Sequence, residues 1–370
     1  MNHEAFVRVM LAGDVMTGRG IDQVLPYAGD PKIYESYIRS ADGYVALAEA
    51  RSGDIPAPVA FDYIWGDALA AMAARQPDCR LINLETAVTR SDEAWPYKGI
   101  NYRMHPGNIP VLTAARVDIC SLANNHVLDW GYAGLAETIS SLQRAGMQTV
   151  GAGENRCAAE QPAIMSFGRN RLRVFACGHP GSGVPDEWAA TENKAGVNFI
   201  GDLSEATAVN LSRQWSDDRQ PGDLVIISIH WGGNWGYRID RQKREFAHRL
   251  IDSGADLVFG HSSHHPIGIE VYRERAILYG CGDLINDYEG IGGHEEYRSD
   301  LRLLYCVDLA RENGALRRFE LIPYEMRRFR LQDASTVDRE WLWACLNREC
   351  RSLSAALQLS ADGGTYLLGW

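Results

Sequence analysis

Long uncharged apolar runs are missing from this 370-residue chain. Nowhere do about 18 such residues follow one another, the length that a transmembrane helix requires, so no membrane span is expected. The N-terminus, MNHEAFVRVMLAGDVM, has no basic-then-apolar stretch, and Asp14 and Arg19 interrupt the run. No export signal is expected from it. Cysteine pairs are missing too. The eight cysteines (79, 120, 157, 177, 281, 306, 345 and 350) stand singly without a CxxC, several of them inside apolar runs such as RVFACG and LLYCVD. This excludes a disulfide frame or a zinc ribbon and reads as buried thiols of a cytoplasmic protein. Positive charge is scarce: 37 Lys plus Arg against 48 Asp plus Glu give a net charge of -11, scattered without an acidic tail. A basic nucleic-acid or anionic-membrane face is therefore excluded. No internal repeat, low-complexity tract, P-loop or HExxH motif occurs, and GAGEN at Gly151 is too incomplete for a dinucleotide fingerprint.

What is present is an alternation of short apolar runs with helical patterns. FVRVMLAGD from Phe6, CRLINLE from Cys79, VDICSLANNH from Val117, DLVIISIHWGG from Asp223, ADLVFGHSSHH from Ala255 and AILYGCGDLIND from Ala276 read as buried strands. Helices are expected at about 65–75, 131–145 and 240–253, each followed closely by Gly or Pro. Strand, helix, strand repetition predicts a layered α/β architecture. Residues 21–64 show no sheet pattern and are expected to form an insertion capping the site. Residues 301–326 read as a hairpin around Glu-Asn-Gly, and residues 337–357 as an amphipathic closing helix with Trp341, Cys345 and Leu346 at helical spacing.

Each strand run ends in Asp, Glu, Asn or His, and ligands of open α/β sheets collect outside strand C-termini. Six loops can thus meet at one site. They bring Asp14, Glu85, Asn125, His126, His230, His261, His264 and His265, with five of the ten histidines in three short loops. An isolated histidine is more often a core or surface residue; the set points to a divalent metal such as manganese, iron or zinc, which takes imidazole nitrogen with carboxylate or amide oxygen. In GHSSHH, His261 and His264 lie three apart on a turn and can face one cavity, whereas the adjacent His265 faces elsewhere. A serine-nucleophile elbow at Gly260–Ser262 is argued against by His264 in the place of its second glycine. In ANNHVLDWG, Asn125 can bind a metal through its oxygen while His126 donates a proton and Asp129 orients that imidazole. The plainer alternative is that Asn-Asn-His only caps the helix that follows.

GDVMTGRG at Gly13, INLETAVT at Ile82, ANNHVLDWGYAGL at Ala123, SIHWGGNWGY at Ser228, FAHRLIDSGADLVFGHSSHHPIGIEVY at Phe246 and ILYGCGDLIND at Ile277 resemble the CapA family of poly-γ-glutamate capsule biosynthesis proteins. That family is similar to the calcineurin-like metallophosphoesterases, and the resemblance covers about residues 6–290. It implies a four-layer α/β/β/α sandwich with a strand-rich cap insertion at about 21–64, one unit spanning 1–326, and a helical extension over 327–370. It implies metal ligation by Asp14, Glu85 (bridging), Asn125, His230, His261 and His264, with His126 as proton donor. The metallophosphoesterase motif places a histidine two residues after the first Asp; here Met16 stands there, so either one ion binds tightly or Asp283 or Asn286 of GDLIND compensates. Family members commonly show HWGxEY after the fourth-motif histidine, and Asn234 replaces that Glu. Many members also carry an N-terminal membrane anchor; no such anchor is expected from this sequence.

The expected chemistry is hydrolytic: one or two ions lower the pKa of water toward ~7, the hydroxide attacks, and His126 protonates the leaving group. The substrate is expected to be anionic or peptide-like, a small molecule or polymer, with Arg19, Lys98, Arg103, Trp231, Asn234, Trp235, Asp283 and Asn286 as candidate contacts. A phosphoester and a γ-glutamyl or other amide bond fit equally. The alternative is a noncatalytic partner of a polymer synthase with a degenerate metal site.

Overall fold

The computed structural model describes residues 5–370; the first four residues of the expected 1–326 unit lie outside it. Two sheets pack face to face. The first has ten strands, and along its main path these run Ala356–Leu359, Tyr366–Gly369, Leu316–Arg327, Leu301–Ala310, Phe6–Val15, Cys79–Leu84, Ile119–Ser121 and Gln148–Val150. Asp283–Ile285 joins it beside Phe6–Val15, and Arg330–Asp333 beside Leu316–Arg327. The second sheet runs Ile269–Tyr272, Arg275–Leu278, Leu257–His261, Asp223–His230, Asn170–Gly178 and Ala163–Phe167.

Side-chain parity shows why these runs are apolar throughout. In Phe6–Val15, Val7, Val9 and Leu11 enter the core between the sheets with Leu172, Val174, Leu224 and Phe259. The alternate residues Met10 and Ala12 pack outward with Met72, Leu135 and Leu142 of the helices Ala68–Arg75 and Gly131–Arg144. On the far side, Phe175, Ile227 and Ile229 pack against Leu211, Trp215, Phe246 and Leu250 of Glu205–Ser216 and Arg241–Asp252. The layers are α/β/β/α, as expected. Each fully buried aliphatic side chain contributes about 1.5–3 kcal/mol, so a strand covered on both faces is strongly held.

The cap differs from expectation. The segment holds two helices, Arg19–Val24 and Asp42–Ser52, and a 3-10 turn at Tyr63–Trp65, with one isolated bridge between Lys32 and Ser40. It is helical rather than strand-rich because ALAEA is a run of strong helix formers. The C-terminal segment also differs. One helix, Thr336–Arg351, forms with Ser335 as its N-cap, but three strands of residues 327–370 join the first sheet. Leu342, Leu346 and Cys350 of that helix close the edge of the core between the sheets, and Cys350 Sγ accepts the Ile269 N–H at 3.3 Å. All eight cysteines are unpaired and seven are buried; Cys157 is exposed, against the expectation. No helix of the described residues is long and apolar enough to cross a membrane.

The strands that matter for chemistry run parallel. Phe6–Val15, Cys79–Leu84 and Ile119–Ser121 do so in one sheet, and Asn170–Gly178, Asp223–His230 and Leu257–His261 in the other. Their C-terminal ends form a single rim.

Candidate metal centre

The first strand delivers Asp14 to this rim at a point of close backbone approach. A Cβ on Gly13 would lie 1.9 Å from the Gly282 carbonyl oxygen, so glycine is required for Asp283–Ile285 to run alongside and pair Asp14 with Asp283. Strand register slips on both sides of Asp14, an irregularity that re-aims side chains. The turn after Leu257–His261 places Ser262 at φ +111°, a strained conformation for a residue with a Cβ, between the two motif histidines.

Two triads of ligand-type atoms share Asp14. Asp14, His230 and His261 form one, and Asp14, His264 and Asp283 the other, with the atoms of each triad within 4.8 Å of one another. All these side chains are buried. His230 Nδ1 lies 2.8 Å from His261 Nδ1, and two imidazole nitrogens so close can share at most one proton. His230 Nε2 is 3.0 Å from Asn125 Oδ1 and 3.7 Å from Glu85 Oε1. His264 Nδ1 is 3.1 Å from both Asp283 oxygens, and Asn286 donates to Asp283 at 2.5 Å.

A polar scaffold fixes these groups. Asn83 Nδ2 donates to Asp14 Oδ1 at 2.7 Å, and Asn124 Nδ2 donates to Asn83 Oδ1 at 3.1 Å. Ser228 holds His261 Nε2 at 2.8 Å and donates to Ser121 at 2.9 Å. These residues were not anticipated. Their signal was a polar residue inside an otherwise apolar strand run, Asn83 in CRLINL and Ser228 in DLVIISIH.

His126 flanks the cluster, stacked on Tyr102 with ring centroids 3.9 Å apart. Its Nδ1 is 2.6 Å from Asp129 Oδ2, and its Nε2 is 4.0 Å from Glu85 Oε1. Lys98 Nζ completes the group, 2.7 Å from Asp129 Oδ1 and 3.2 Å from His126 Nδ1.

Burial and the neighbouring Asp283 push Asp14 up to about 8. Burial, with Asp14 and Asp283 nearby, also raises Glu85 well above the carboxylate range. Burial opposes charge on Asp283, yet His264 outweighs it and holds that carboxyl low, while Asp283 in turn overcomes burial to raise His264. Burial pushes His261 down to about 3 and His126 to about 4, and lowers His230 as well. The cluster thus sets buried carboxyl groups beside the neutral imidazoles of His230 and His261, with His264 paired to Asp283, an arrangement that a cation relieves. Asp14 Oδ2 is buried without a hydrogen-bond partner among the described residues, so the donor set fits a divalent ion.

Of the expected contacts, Asp283 belongs with the ligand-type cluster, and Asn286 braces it while accepting from Arg302 Nη2 at 2.7 Å. Three others are structural, and Asn234 is exposed. Arg19 is sealed between Asp287 and Glu35, with N–O distances of 2.5 and 2.7 Å, and lies over the Tyr44 ring. Arg103 bonds Ser91, Asp92 and Asp30 and packs on Trp130. Trp231 is a core residue whose Nε1 donates to the Tyr279 carbonyl. Asn234 has an exposed side chain and acts through its carbonyl, which accepts the His264 N–H at 3.0 Å. Each sits near a motif in sequence, but ion pairing or burial consumes the polar groups of Arg19, Arg103 and Trp231. Trp235 remains beside the cluster, 5.4 Å from the His264 ring and stacked on His294. His265 faces away, accepting the Gly236 N–H.

A four-layer α/β/β/α sandwich with Asp, Asn, Glu and His gathered on its strand C-termini defines the class of protein. Within it, the chain belongs to the bacterial capsule synthesis protein PGA_cap family, whose model matches residues 8–288. It is 49% identical over 347 residues to a "Probable polyglutamine synthesis accessory protein" of Mycobacterium tuberculosis, covering 93% of this chain and 91% of that one. It is 25% identical to the "PGA biosynthesis protein CapA" of Bacillus subtilis, over 85% of this chain and 70% of the other. Among solved structures, a novel phosphatase from Mycoplasma pneumoniae aligns at TM-score 0.48 and 11% identity, covering 86% and 94%.

Proposed function

We propose that the protein is a metal-dependent hydrolase acting on a phosphoester or a γ-glutamyl amide bond in the metabolism of poly-γ-glutamate or a related polymer. The observation that carries this reading is the pair of ligand-type triads sharing Asp14, with its Oδ2 unpartnered, beside the His126–Asp129 pair. Asp14, Glu85, Asn125, His230, His261, His264 and Asp283 would hold one or two divalent ions, with manganese, iron and zinc all compatible with the donors. A bound ion supplies Lewis-acid polarisation and lowers the pKa of water.

The chain's own residues supply the rest. Asp129 commits His126 Nδ1, so Nε2 is the atom that exchanges a proton with a leaving group. Tyr102 stacking fixes the plane of that ring, Lys98 neutralises Asp129, and burial, with Lys98 nearby, keeps His126 uncharged until an anion arrives. Trp235 borders His264 and orients substrate on that side.

The test is metal analysis of the purified protein and of H261A, with phosphoester and γ-glutamyl amide substrates screened under manganese. Loss of metal and of turnover in H261A is expected. Metal content unaffected by H261A, or no metal after manganese and iron supplementation, overturns the reading. A noncatalytic accessory role in polymer synthesis is favoured by Met16 and by the name of the M. tuberculosis relative. Co-purification with a ligase, without turnover of any ester or amide, would select it.

A further inference from the structure

A cavity of about 700 Å³ opens beside the candidate metal centre. Trp235 and Tyr288 line it, and both rings touch His264, at centroid distances of 5.4 and 5.1 Å. Its lining also includes Arg302, which lies on Leu301–Ala310, outside the residues matched by the family model. The Arg302 side chain is only 2% exposed, and Nη2 bonds Asn286. Nε and Nη1 have no hydrogen-bond partner among the described residues.

A buried guanidinium is costly unless its charge and its donors are met. Asp283, Asp300 and Glu289 face Arg302 without hydrogen-bonding to it, and each is engaged elsewhere. Asp283 is held by His264 and Asn286, Asp300 by Arg298, and Glu289 by Ser52 and the Phe329 N–H. Three further arginines line the cavity beside five carboxylates; Arg298 pairs with Asp300 and Asp338, while Arg51 and Arg327 are exposed. A buried guanidinium with unmet donors on the lining of a cavity that adjoins the candidate metal centre is suited to an oxyanion.

We propose that Arg302 is an oxyanion-recognition residue, binding a phosphoryl or carboxylate group of the ligand that occupies this cavity while the scissile bond lies at the His264 side. The role assigned to the scissile bond rests on the hydrolase reading; the oxyanion site itself does not.

The test is calorimetric titration of the wild-type protein, with manganese and separately with EDTA, using inorganic phosphate and γ-glutamyl-glutamate as probes. Arg302→Met is expected to weaken binding about tenfold or more, with manganese content unchanged. Tighter binding of phosphate assigns a phosphoryl group, and tighter binding of the dipeptide assigns a carboxylate. Equal affinities in wild type and a folded R302M overturn the proposal. Arg302 sits in a central strand, so a crystal structure of wild-type protein soaked in phosphate gives a second reading that does not depend on the variant. An oxyanion within hydrogen-bond distance of Nε or Nη1 supports the proposal, and ordered water alone overturns it. Arg302-dependent anion binding without any manganese binding sinks the hydrolase reading and leaves this one standing. Manganese binding with anion affinity independent of Arg302 does the reverse.

Discussion

Met16 stands two residues after Asp14, where the resemblance implies a histidine, and it is buried. A thioether is a soft, weak donor, so the oxygen-rich side of the site needs another ligand. Asp283 has the right placement: it pairs with Asp14 across adjacent strands and approaches His264 at 3.1 Å. Asp283→Asn keeps the shape but removes the charge. We expect it to lower the manganese stoichiometry, from two ions to one if two bind in the wild type, or to abolish binding at a single site. Elemental analysis after dialysis checks this, and wild-type stoichiometry in D283N would remove Asp283 from the ligand set.

At the scale of elements, the rim is assembled from strands, and the segment above it is tied down by one buried arginine. Arg19 opens the helix Arg19–Val24 and bonds Asp287 after the Asp283–Ile285 strand and Glu35 in the loop before Asp42–Ser52. Arg19→Met leaves two buried carboxylates without their counter-charge and is expected to cost about 3–5 kcal/mol. Denaturant unfolding measures the loss, and limited proteolysis should cut first within residues 25–60. A loss below about 1 kcal/mol, the range of an exposed ion pair, would contradict this account. The C-terminal helix works differently, closing the open edge between the sheets through Leu342, Leu346 and Cys350 rather than through charge.

For the whole molecule, the buried carboxylate cluster couples stability to pH and to cations. Asp14 is raised to about 8 in the folded chain against 3.8 as its ordinary value. Its contribution to stability is therefore fully present below the unfolded pKa and is lost as pH rises through about 8. A cation offsets that loss, and proton competition for the ligands falls over the same interval. The difference in Tm between manganese-loaded and EDTA-treated protein should therefore widen from pH 6 to pH 8.5. A constant difference across that range would separate the ion from this cluster.

How much of this was legible in the sequence follows from the range of the interactions. Apolar runs of strand length, helix patterns closed by glycine, and metal-type residues at run ends depend on local periodicity and chemistry, so the layered architecture was readable from the chain, and Asp14, His126, His230, His261 and His264 could be named from it as candidates. The family motifs themselves end near Asn286. What the sequence left open was decided by contacts between distant segments. Asn83 and Ser228 became scaffold residues because they point inward from strands on facing sheets. Arg19, Arg103 and Trp231 lie close to motifs in sequence, yet partners such as Asp287, Asp30 and Tyr279 consume their polar groups. The strands of residues 327–370 are short: Arg330–Asp333 and Tyr366–Gly369 find their register against Leu316–Arg327, and Ala356–Leu359 against Tyr366–Gly369. Arg302 carries no motif; its unmet donors beside the centre exist only once Leu301–Ala310 is packed next to Asn286, because burial removes the water that would otherwise satisfy them.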